Sequence, residues 1–91
     1  MEAFLQRFLM IESGYYTVSY NNRTYGMTVE VSDDTRRRKL FAEELGGDDH
    51  ISLNLYLLKG KAPLLKPCEM PAQKVIDFVN DFTMHPRQTR A

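Results

Sequence analysis

Apolar positions along the chain follow two different periods. Phe4, Leu5, Phe8 and Leu9 recur at helical spacing, with Glu2, Gln6 and Arg7 on the other side. Ser13-Gly14 supplies a stop, because glycine readily takes the left-handed conformation that follows a helix end. The spacing predicts a helix over residues 2–12. Tyr15 to Val31 is rich in Tyr, Thr and Val, and Asn21-Asn22 interrupts it. β-Branched and aromatic residues favour strands, and Asn tolerates positive φ in tight turns, so a β-hairpin is predicted. A loop of even length keeps Tyr16, Val18 and Tyr20 on one face with Tyr25, Met27, Val29 and Val31. With a two-residue loop, Val18 lies opposite Tyr25 and Tyr16 opposite Met27. A slip of one residue would invert every side chain.

Ser32 then reads as a helix N-cap, with Asp33 and Asp34 in a first turn where the dipole favours negative charge. Leu40, Phe41 and Leu45 form the apolar stripe of the predicted helix, and Gly46-Gly47 ends it. From His50 to Leu58 the alternation is clean, with Ile51, Leu53, Leu55 and Leu57 on one face of a strand. Leu64-Leu65-Lys66 begins a short return. Pro63 and Pro67 bracket it and cannot donate to a ladder, which places it at a sheet edge. Pro71 opens a last helix, with Ala72, Val75, Ile76, Val79 and Phe82 on one face and Phe78 beside them. His85-Pro86 ends it, and residues 85–91 read as a polar, disordered tail.

The expected fold is α+β in the order α-ββ-α-ββ-α. Residues 1–84 would form one domain, a four-stranded, mainly antiparallel sheet with its helices packed on one face. Three amphipathic helices crowd one face of such a sheet. The first helix is therefore expected either to pack at an end of the sheet or to find a partner on another chain, in the latter case presenting Phe4, Phe8, Leu9 and Met10.

Composition narrows the reading further. Twelve basic and twelve acidic side chains leave no net charge. A dedicated nucleic-acid binder usually shows a basic excess. Zero net charge also removes the self-repulsion that keeps copies of a protein apart. Cys68 is the only cysteine, so no internal disulfide can form. No run reaches the ~18 apolar residues of a membrane span, and the first residues lack the uninterrupted apolar stretch of a signal peptide. The expectation is a cytoplasmic protein without membrane contact.

Candidate chemistry is sparse. Arg36, Arg37, Arg38 and Lys39 could grip phosphate as a nucleic-acid contact, but consecutive helical residues point about 100° apart and cannot all face one ligand. Asp48, Asp49 and His50 bring two carboxylates beside an imidazole, the one place for a small-ligand or enzymatic site. They are adjacent residues without the spaced partner set a metal needs. Cys68 with His85 offers a thiol and an imidazole separated by a whole helix, with no flanking signature. Tyr15 and Tyr56 fall on the less apolar faces of their strands, where tyrosine suits a protein contact. No catalytic residue, metal ligand or cofactor is assigned. The expected function is a small protein-interaction module that self-associates as a homodimer or binds another protein.

Overall fold

The computed structural model describes residues 1–85. Among them the order is α1 (Glu2–Phe8), β1 (Gly14–Tyr20), β2 (Arg23–Val31), β3 (Arg37–Glu44), β4 (His50–Tyr56), β5 (Leu64–Pro67), α2 (Ala72–Asp81) and β6 (Thr83–Met84). The strands form one six-stranded sheet, β5-β4-β3-β2-β1-β6, antiparallel throughout. The four-stranded sheet and the α-ββ-α-ββ-α order are both corrected by this arrangement.

The first hairpin closes as its pattern dictates. Asn21 and Asn22 take φ of 53° and 63°, the double positive of a type I′ turn, whose twist matches that of the flanking strands. Val18 pairs with Tyr25 and Tyr16 with Met27. One face of the hairpin is consequently apolar and the other is mainly Thr, Ser and Gly, with Tyr15 and Glu30 beside them.

The predicted second helix is instead β3, the third strand from either hairpin edge of the meander β1 to β5. The Ser-Asp chemistry read as an N-cap closes a turn. Ser32 Oγ accepts from the Arg37 N–H at 3.0 Å and donates to Asp34 Oδ1 at 2.8 Å, while the Arg36 N–H donates to the same Oδ1 at 3.0 Å. Short polar side chains bond to nearby backbone in both settings, so they mark a chain reversal as readily as a helix start. Thr35 completes the turn at φ 60°. Beyond it Leu40 and Ala42 point inward, and Phe41, between them, points out. Pairing on both sides, to β2 and to β4, outweighs the modest helical i,i+4 ion pairs.

Both helices cover the same face of the sheet. Phe4 and Phe8 of α1 and Val75, Phe78 and Val79 of α2 pack with Val18, Met27, Leu40, Ile51 and Leu53 in a single core. Tyr20, Tyr25 and Phe78 meet edge to face, with centroids 5.0–6.1 Å apart. With two helices rather than three, the crowding that sent α1 to another chain is absent. Helix α1 also ends at Phe8, short of residue 12. Arg7 fixes its end by donating to the Phe82 carbonyl and lying over the Phe82 ring, 4.6 Å from its centroid.

Two further expectations meet the structure at the sheet edges. Strand β5 lies at one sheet edge with its prolines, as its sequence requires. At the other edge helix α2 stops at Asp81, and Thr83–Met84 joins β1. The expected tail lies outside the described residues apart from His85, whose N–H donates to the Thr17 carbonyl at 3.1 Å.

Candidate functional site

Helices on one side leave the other side of the sheet without a covering layer among the described residues. The ladder registers fix what stands there. A middle row runs Tyr15, Thr28, Phe41 and Ser52 across β1 to β4. On the turn side toward residues 32–36 the next row is Glu30, Lys39, Asn54 and Lys66, followed by Arg37, Tyr56 and Leu64. On the opposite side the next row is Thr17, Gly26, Glu43 and His50. Large apolar groups remain exposed on this face, with Tyr15 at 58% and Phe41 at 40%.

Two local devices hold the aromatic groups. Tyr15 lies across Gly26, where any side chain would collide with its ring and hydroxyl. The glycine thus gives the ring a flat bed on the sheet, a known remedy for the poor packing of a strand glycine. Phe41 leans toward His50, their ring centroids 6.3 Å apart. Beside Phe41 is a shallow recess of about 390 Å³ lined by Thr28, Glu30, Lys39 and Ser52.

A roomier groove of about 610 Å³ lies elsewhere, between the end of α1 and the β1–β6 edge, against Met10, Ile11, Tyr16 and Met84. Its cation, Arg7, is already held by Phe82. The groove is mainly the seam where α1 meets the sheet edge, and it lacks convergent polar groups of the kind that orient a small ligand.

The residues singled out from sequence are dispersed. Phe4 and Phe8 are fully buried inside this one chain, so they form core and not surface. Leu9 and Met10 stay exposed, Met10 at 81%. The basic run is split by strand alternation. Arg37 and Lys39 stand on the open face, Arg36 belongs to the turn, and Arg38 points inward and donates to the Ile11 carbonyl at 3.3 Å. Arg38 Nε is buried without a hydrogen-bond partner among the described residues.

Asp48, Asp49 and His50 also part company. Asp49 turns inward, accepting from Tyr25 Oη at 2.7 Å and pairing with Lys74 Nζ at 2.7 Å. The Lys74 hydrogen bond holds the Asp49 carboxyl below the usual range, with Tyr25 acting in the same sense against the effect of burial. Burial, then the bond to Asp49, pushes the Tyr25 hydroxyl up to about 12. His50 faces the open side and Asp48 the solvent. A shallow recess of about 380 Å³ is bordered by all three, but the Asp49 carboxylate is engaged by Tyr25 and Lys74. Among the described residues no group of three His, Cys, Asp or Glu side chains is placed to hold a metal ion.

Cys68 follows β5 and His85 follows β6, at opposite edges of the sheet, so they cannot act together. His85 instead meets Ser19, Nε2 to Oγ 2.9 Å. That pair, and the outward Phe41, were missed by sequence reasoning. Phe41 was discoverable, since it is out of phase with Leu40 and Ala42 once a period of two is applied. No helix among the described residues is long and apolar enough to cross a membrane. No protein-family model matches this chain, and no curated protein or solved structure matches it either.

Proposed function

We propose that this protein is a small protein-interaction module that self-associates through the open face of its sheet. The observation that carries the reading is the middle row of that face, where Tyr15 and Phe41 stand exposed with no described element over them. Exposed aromatic groups set among Thr, Ser and Asn resemble the make-up of protein contact surfaces, in which Tyr and Phe are enriched. The edges point the same way. Strand β5 is short and ends in Pro67, and β6 has two residues, devices that discourage edge-to-edge pairing. Association by the face is then the route left to the sheet.

A second copy is favoured over nucleic acid. Strand alternation leaves only Arg37 and Lys39 of the basic run on the face, and Lys39 stands directly opposite Glu30. Zero net charge favours contact between copies.

Sedimentation over a concentration series tests this. The expected result is a concentration-dependent rise to twice the chain mass. Phe41→Asp should abolish the rise while leaving the far-ultraviolet circular dichroism unchanged, because Phe41 lies outside the core. A chain that stays monomeric up to roughly 100 µM, the weak end of specific association, overturns the reading.

A further inference from the structure

The open face is charged unequally along the strands. Toward the turn at residues 32–36 it carries Arg37, Lys39 and Lys66 with a single acid, Glu30, and toward the β3–β4 turn it carries Glu43 with Asp48 beyond it. Among the described residues the ion pairs are Arg23–Glu44 and Lys74–Asp49. The charged groups of the face therefore have no ion-pair partner in their own chain among the described residues.

Two identical sheet faces can be stacked by a two-fold axis lying between them in either of two directions. An axis parallel to the strands sets the basic end of one copy over the basic end of the other. An axis running across the strands reverses the second copy and sets basic over acidic. Like charges facing each other cost several kcal/mol, whereas opposed poles steer and register the encounter.

We infer that the face pairs with a second copy of this chain about a two-fold axis across the strands, along the row Tyr15–Thr28–Phe41–Ser52. This rests on the self-association proposed above and adds its geometry. On that axis Phe41 meets Phe41 and Tyr15 meets Tyr15. Lys39 and Glu43 lie on the same strand, one step to either side of Phe41. Lys39 of each copy therefore faces Glu43 of the other, twice per dimer. Such a self-complementary patch is the requirement for a closed two-fold dimer. The broad side of the molecule, with extents of 40 and 30 Å, exceeds the ~800 Å² each partner contributes to a standard interface.

A charge-exchange cycle tests the geometry by sedimentation at low salt, with circular dichroism to verify the fold of each variant. Lys39→Glu and Glu43→Lys alone should each weaken dimerisation by roughly tenfold or more, since each sets like charges face to face twice. The double variant, which exchanges the two charges, should return to within about threefold of the original chain. If the original chain dimerises but neither single change weakens it, or the double is no better than the singles, this axis is wrong and self-association stands. If the original chain does not dimerise at all, both fail.

Discussion

Asp49 is the residue whose role changes most between sequence and structure. In the sequence it is one of two carboxylates beside an imidazole; in the fold it ties the β3–β4 turn to β2 and α2 through Tyr25 and Lys74. Asp49→Ala should cost about 1–3 kcal/mol, because it strands the buried Tyr25 hydroxyl. Asp49→Asn should cost less, its amide oxygen still accepting from Tyr25. Denaturant unfolding near neutral pH measures both.

The pH dependence follows from the same cluster. Asp49 has a depressed carboxyl, so its contribution is present above the unfolded carboxylate value of about 4 and disappears as pH falls through the lower folded value. Tyr25 is raised, so its contribution is present below an unfolded value of about 10 and disappears as pH climbs toward about 12. Tyr25→Phe should remove most of the alkaline loss. A smaller slope should persist from Tyr20, raised by burial and then by Asp77 and Asp81. An alkaline loss identical in the original chain and Tyr25→Phe would rule out this assignment. None of this was legible in the sequence, because Tyr25, Asp49 and Lys74 come from three separate elements.

At the scale of elements, legibility followed how local the deciding interactions are. The β1–β2 hairpin was readable down to its register, since its turn and its alternation lie within one stretch. Strand β3 was not. Its only inward apolar residues are Leu40 and Ala42, its charges pair well at helical spacing, and the Ser32–Thr35 segment fits a cap or a turn alike. Pairing to β4, whose residues lie 7 to 19 positions further along the chain, decides the matter. The turn holds a testable strain. Thr35 is a β-branched residue at φ 60°, a region that Asn occupies at lower cost. Thr35→Asn should raise unfolding stability by up to about 1 kcal/mol. Helix α1 offers a sharper distinction. As part of the core, Phe8→Ala should cost about 3–5 kcal/mol at any protein concentration. Were Phe8 an interface residue, the loss would shrink as dilution separated the copies.

For the whole molecule, charge distribution matters more than net charge. The balance read from composition removes a barrier to self-association, but only the topology reveals that one end of the open face is net basic and the other acidic. Composition could not reveal this, since it depends on which turn each strand end reaches. A consequence separates the two kinds of stability in this protein. Attraction between opposite charges of two copies is screened by dissolved ions, and the screening length contracts from ~30 Å at 0.01 M to ~10 Å at 0.1 M salt. Dimerisation should therefore weaken steadily with added salt. The core is apolar, and its Asp49–Lys74 pair is held at hydrogen-bond distance, so folding of the monomeric Phe41→Asp variant should respond far less. Measuring both over one salt series checks the argument. Dimerisation indifferent to salt would remove the role of the poles, and an aromatic row alone would then have to hold the copies together.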